Sequence, residues 1–133
     1  MKVVFDTNIL VSALVFPGGR REAALQRIID ERDELVLSKP ILDELLGILA
    51  RKFARDGEQL ARVAVFLSTA ATFVSPRRRL QVVKDDPDNR ILECALTGRA
   101  HAIVTGDRAL LALDRVRGVR LLSLRDYLDD RTA

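Results

Sequence analysis

The chain has 133 residues, 48% of them hydrophobic and 31% charged, a formal net charge of +3, and one cysteine, Cys94. A lone cysteine excludes an intrachain disulfide, no apolar run approaches the ~18 residues of a membrane span, and no basic-then-apolar leader precedes Asp6. These features predict one cytoplasmic domain over residues 1–133, with no solenoid repeat, able to bury roughly two-thirds of the surface its unfolded chain exposes.

Val3-Val4-Phe5 reads as a short buried strand, and Asp6-Thr7-Asn8 ends it ahead of a helical stretch, Ile9 to Val15. Pro17-Gly18-Gly19 breaks the chain, and Arg20 to Arg32 is helical, with Ala23, Ala24, Leu25, Ile28 and Ile29 on one face. Leu35-Val36-Leu37 is a second strand. Ser38 then stands as an N-cap, with Pro40 in the first helical turn. At 100° per residue, Ile41, Leu42, Leu45, Leu46, Ile48, Leu49 and Phe53 fall in one broad apolar arc. Glu44 sits at the edge of that arc, and Asp43 lies further round toward solvent.

Asp56 and Gln59 have capping-box spacing for a fourth helix, with Leu60, Val63, Ala64 and Leu67 inward. Thr72-Phe73-Val74 is a strand ended by Pro76. Arg77-Arg78-Arg79 is an exposed basic loop, and Leu80 to Val83 extends the strand pattern. Asp86, before Pro87, caps a helix that runs to Gly98. Ala102 to Thr105 is the next strand, Gly106-Asp107 leads into a helix from Arg108 to Asp114, and Gly118 breaks it. Val119 to Leu122 is the last strand, and Ser123 caps a final helix through Leu128. Short apolar strands alternating with helices predict an α/β fold: a three-layer α/β/α sandwich around a mostly parallel sheet of about five strands.

In such a sheet the carboxyl ends of the strands converge on one crevice. Asp6, Asp88 and Asp107 all lie at strand-to-helix junctions, and Glu44 lies early in a helix. Each has a plain alternative role: Asp6 and Asp107 as N-caps, Asp88 as a charge complementing a helix dipole, Glu44 as a solvated flank. The surplus argues for more. Asp88 and Asn89 lie beyond the cap that the helix needs, and Thr7, Asn8 and Thr105 add polar groups beside the Asp residues. Carboxylates gathered in this way hold Mg²⁺ or Mn²⁺ through hard oxygen ligands and act on phosphodiesters.

Val4-Phe5-Asp6-Thr7-Asn8, Glu44 in a Pro-led helix, the run from Asp85 through Ala95, and Ile103-Val104-Thr105-Gly106-Asp107 resemble, in order, the four motifs of PIN domains. The Asp-Pro-Asp-Asn and Val-Thr-Gly-Asp segments are most similar to the subgroup of VapC-type toxins from toxin–antitoxin systems. The resemblance implies a metal-dependent endoribonuclease acting on single-stranded RNA. It implies Asp6, Glu44 and Asp88 as the acidic triad, Asp107 as a fourth carboxylate, and Thr7, Asn8, Asn89 and Thr105 as polar support. It leaves open whether Asp85 or Asp86 shares the role given to Asp88. It also implies a small antitoxin protein as partner, and a homodimer for which the helices from Arg20 and Glu58 offer apolar faces.

The competing readings are a PIN fold kept only for RNA or partner binding, and an Asp-nucleophile phosphatase or receiver-like domain. The phosphatase pattern wants an Asp where Asn8 stands, and a receiver wants a late Lys, whereas none follows Lys84. Arg90 and Arg108 adjoin the acidic motifs, as RNA contacts or as partners of those carboxylates. The excess of Arg over Lys reads equally as codon bias or as phosphate contact. Aromatics at 5%, with no Trp, argue against base-stacking as the main mode of nucleic-acid binding. His101, without a second His, reads as a loop residue, and Cys94 reads as packing.

Overall fold

A computed structural model describes residues 1–129. Six strands form one sheet in the order β3-β2-β1-β4-β6-β5. They are β1 (Lys2–Phe5), β2 (Glu34–Ser38), β3 (Ala71–Val74), β4 (Ala102–Val104), β5 (Arg115–Val116) and β6 (Val119–Leu122). All neighbours pair in parallel except β5 and β6. The helices are α1 (Thr7–Val15), α2 (Arg20–Ile29), α3 (Lys39–Phe53), α4 (Gly57–Ala70), α5 (Asp86–Thr97), α6 (Arg108–Ala112) and α7 (Leu124–Leu128). They flank the sheet: α1 packs on α2 and α3, α2 on α7, and α3 on α4 and α5. The α/β architecture with a mostly parallel central sheet is the one expected from the sequence.

The central strands are buried on both faces, which is why they carry no polar alternation: Val3, Val4, Phe5, Leu35, Val36, Leu37, Ile103 and Val104 are all at most 1% exposed. Against them stand Leu10, Ile41, Leu45, Ile91, Leu92 and Tyr127, and the Phe5 and Tyr127 rings meet edge to face at 5.7 Å. Helix α5 approaches β2 so closely that a Cβ on Gly98 would stand 2.5 Å from Val36 Cγ1. A glycine is needed there for room, not for backbone angle.

Several expectations are corrected. The sheet has six strands, because Arg117 and Gly118, both at positive φ, make a tight turn that folds Arg115–Val116 back on β6. Leu80 to Val83 is irregular and does not extend β3. Asp85, not Asp86, caps α5: its side chain accepts from the Asp88 amide at 3.3 Å, and Pro87 follows in the first turn, where a missing N–H loses no helical bond. Ser38 occupies the N-cap position of α3 but makes no capping hydrogen bond. Helix α2 ends at Ile29, which is 47% exposed and so is not part of the buried face expected to include it. The capping box of α4 is present, with Gln59 N to Asp56 Oδ1 and Asp56 N to Gln59 Oε1 both 2.9 Å.

Candidate functional site

The chain runs outward from β1 through β2 to β3, then returns to β4 on the other side of β1. The carboxyl ends of β1 and β4 therefore flank the topological switch point, the place where open α/β sheets leave a crevice. Asp6 follows β1 and Thr105-Gly106-Asp107 follows β4. The Asp6 amide donates to Val104 O at 2.9 Å, tying the two ends together.

Thr105 is fully buried and serves both acids. Its hydroxyl donates to Asp6 Oδ2 at 2.6 Å and accepts from the Asp107 amide at 3.0 Å. Asp6 and Asp107 are also the N-caps of α1 and α6, accepting from the Asn8 and Leu110 amides at 3.4 and 2.9 Å. The capping role weighed against the functional one is therefore present, and it does not use up the carboxylates, since each keeps an oxygen beyond its cap.

Glu44 reaches the same region from the second turn of α3, half buried, while Asp43 is exposed and paired with Lys39 at 2.8 Å. Asp88 enters from the first turn of α5 and is 8% exposed. Asp85, though exposed, acts electrostatically on both Glu44 and Asp88. Asp86 points elsewhere, 69% exposed and 3.4 Å from Arg90. The sequence leaves open whether Asp85 or Asp86 stands with Asp88, and of the two it is Asp85 that acts on the group. The shift of the helix cap from Asp86 to Asp85 is the signal that would have found it.

The electrostatics are those of an overcrowded acidic site. Burial, then Asp85, Asp107, Asp6 and Glu44, push Asp88 up to about 7. Burial raises Asp6, and Asp107 adds to it against the lowering effect of the Thr105 hydroxyl. Burial, Asp6 and Asp85 raise Glu44, which Arg51 partly offsets. Asp88 Oδ2 is buried and has no hydrogen-bond partner among the described residues. A buried carboxylate oxygen left unpaired among like charges is costly unless a cation meets it. The donor set is all hard oxygen, which fits Mg²⁺ or Mn²⁺. Among the described residues no three His, Cys, Asp or Glu side chains are posed to enclose an ion in these rotamers.

The other expected residues divide. Thr7 is buried beside Asp6, and Asn8 is exposed, contributing its amide to Asp6. Asn89 does not face the acids. Its side chain holds the Val82 and Val83 amides and the Val83 carbonyl at 2.9–3.0 Å. Arg90 pairs with Glu93 at 2.9 Å and donates to Leu80 O at 3.1 Å, so its partners are not the clustered carboxylates. Arg108 is exposed at the start of α6. His101 accepts from the Lys2 amide, and Cys94 is fully buried with its thiol pushed up to about 12 by that burial, a packing residue. Of the two apolar faces considered for a dimer, that of α2 is core through Ala24, Leu25 and Ile28, whereas α4 leaves Val65 66% exposed.

Among the described residues no helix is long and apolar enough to cross a membrane. An uncharacterized protein of Methanocaldococcus jannaschii is 30% identical over 117 residues, which cover 85% of this chain and 75% of that protein. Two solved structures share the fold. VapBC2 from Rickettsia felis, bound to a DNA fragment from its promoter, aligns at TM-score 0.63 and 18% identity over 92% of this chain and 98% of that one. VapBC-1 from nontypeable Haemophilus influenzae aligns at TM-score 0.60 and 19% identity over 94% and 99%. The PIN domain family model matches residues 2–109, a span that contains β1 to β4, the four sequence motifs and every carboxylate of the acidic group, and the chain belongs to the PIN-domain family.

Proposed function

We propose that this chain is a metal-dependent endoribonuclease that hydrolyses single-stranded RNA, and that it is the toxin of a toxin–antitoxin pair. The observation that carries the nuclease reading is the acidic group at the switch point, with its buried, unpartnered Asp88 Oδ2. Asp6, Glu44, Asp88 and Asp107 are the residues that would hold Mg²⁺ or Mn²⁺, with Asp85 at the rim. When bound, such an ion lowers the pKa of water and offsets charge building on a phosphodiester. Thr105 ties the Asp6 carboxylate to the backbone of Asp107, so one hydroxyl orients the first acid against the strand end that carries the last. The Asp85 and Asp107 caps give the helices that carry the group defined entry points.

The family assignment supports nuclease chemistry in general terms, and the fold shared with VapBC chains supports the toxin reading and a small antitoxin partner. An inhibitor that placed a basic side chain among these carboxylates would satisfy the same unpaired charge. The exposed flank of α4 around Val65 is the surface proposed for a homodimer.

Asp6→Asn and Asp88→Asn should retain the fold, lose heat of Mn²⁺ binding by calorimetry, and lose Mn²⁺-dependent cleavage of a mixed RNA pool with ends mapped by sequencing. Undiminished cleavage by both variants would remove the assignment. Trapping by an acyl-phosphate mimic would replace it with the Asp-nucleophile reading.

A further inference from the structure

The segment between β3 and α5 is irregular, yet its backbone is held at five points by three side chains of one helix. Asn89 takes the amides of Val82 and Val83 and the carbonyl of Val83. Glu93 accepts the Leu80 amide at 2.7 Å, and Arg90 donates to the Leu80 carbonyl at 3.1 Å. Arg90 and Glu93 pair with each other at 2.9 Å, with side chains only 12% and 6% exposed. A buried ion pair gives weak net stabilisation, because desolvation offsets most of its attraction. A merely solvated loop needs no such clamp.

Directly before this clamp lie Arg77, Arg78 and Arg79, which are exposed and form no salt bridge within the described residues. Arg77 and Arg78 line two adjoining clefts of about 460 and 310 Å³ that also share Ser75 and Glu93, and Arg79 lines the larger alone. The larger is bounded by Lys39 and Arg90, the smaller by Arg117 at the β5–β6 turn. Arg90 already neutralises Glu93, and Lys39 has Asp43, so Arg77, Arg78, Arg79 and Arg117 remain as free positive charge. Among the described residues no aromatic ring lines either cleft. None of the clustered carboxylates lines either cleft, but the walls of the larger one belong to the helices that carry two of them: Lys39 begins the helix of Glu44, and Arg90 lies on the helix of Asp88.

We propose that these clefts bind the sugar–phosphate backbone of a single nucleic-acid strand, leading it to the acidic site. Arg77, Arg78, Arg79 and Arg117 contact successive phosphates, whose oxygens match the guanidinium fork. Asn89, Arg90 and Glu93 are positioning residues that hold the loop in its binding shape. With no stacking platform, recognition is blind to base and strongly salt-dependent. The proposal rests on the nuclease reading for the strand's destination, but the binding itself does not.

The test is fluorescence anisotropy of a labelled oligouridylate on the whole chain in EDTA, across a salt series, with a polyglutamate peptide as competitor. The triple variant Arg77→Gln, Arg78→Gln, Arg79→Gln should bind about 10–100-fold more weakly and lose about 2 from the slope of log K against log salt, at ~0.7 per phosphate. Arg117→Gln should lose about 0.7 of that slope. Asn89→Ala, which frees the Val82 and Val83 backbone without changing any charge, should weaken binding several-fold while the slope holds, because the loop loosens but the phosphate count does not change. Unaltered affinity and slope in the triple variant, or tighter binding of polyglutamate than of the oligonucleotide, would overturn the proposal. Parallel Mn²⁺ cleavage assays separate the two readings. A wild type that binds through these arginines yet cleaves nothing keeps the cleft and removes the nuclease. A wild type that cleaves RNA with the triple variant binding normally does the reverse.

Discussion

Asp88 offers the sharpest handle on the acidic site, because its proton is displaced from 3.8 to about 7 by burial and by four neighbouring carboxylates. The folded chain binds that proton more tightly than the unfolded chain does. Stability contributed by the protonated form is therefore complete at low pH, falls as pH rises from about 4 through about 7, and is gone above that. The displacement sets a ceiling of about 4 kcal/mol for the loss. Relaxation and water penetration around the charged form reduce the realised figure to about 1–2 kcal/mol. Asp6 and Glu44 are raised as well and add in the same direction. Urea unfolding in EDTA from about pH 5 to about pH 8 should thus show wild type weakening by that amount, with a much flatter profile for Asp88→Asn. At the upper end the variant should be the more stable of the two. Adding Mn²⁺ should restore wild type more at about pH 8 than at about pH 5, since the ion and the proton compete for the same oxygens. A wild-type profile that rises with pH, or an Asp88→Asn variant weaker than wild type at high pH without metal, would refute the reasoning.

Thr105→Val removes the hydroxyl shared by Asp6 and Asp107. It should cut Mn²⁺-dependent cleavage about 10–100-fold, read as kcat on RNA, while circular dichroism stays that of wild type. Asn89→Ala strips three backbone partners from Val82 and Val83; it should cost about 1–3 kcal/mol in urea unfolding and speed amide exchange at those two positions. Gly98→Ala drives a methyl against Val36 Cγ1 and should cost about 1–3 kcal/mol, much of it recovered in the Gly98→Ala, Val36→Ala double variant.

The sheet was readable because its inner strands are apolar on both faces and end at polar junctions, so Val3–Phe5, Leu35–Leu37 and Ala102–Val104 stand out as runs. Strand β5 was not, because two residues carry no period, and its pairing is set by a turn whose sign of φ at Arg117 leaves no mark in composition. Leu80 to Val83 looked like a strand for the opposite reason. The apolar pattern is there, but the backbone bonds go to side chains of α5 that lie six to thirteen positions away. At the site, helical period separated Glu44 from Asp43, since it fixes which side of α3 each occupies. The place of Asp85 was not legible. Two adjacent aspartates before Pro87 can each cap a helix, and only the three-dimensional register assigns the cap to one and the salt bridge with Arg90 to the other.

Asp6, Asp85 and Asp107 each close a helix as well as facing the crevice. Asparagine caps a helix about as well as aspartate does. A single Asp-to-Asn replacement at any of these three places removes a negative oxygen from the crevice and leaves the helix start intact. The architecture and the chemistry can therefore part company by one small mutational step. Sequences that keep this shape but have fallen chemically silent should be reachable from it at little cost in folding, and an unaltered fold in a relative carries no assurance of an unaltered reaction.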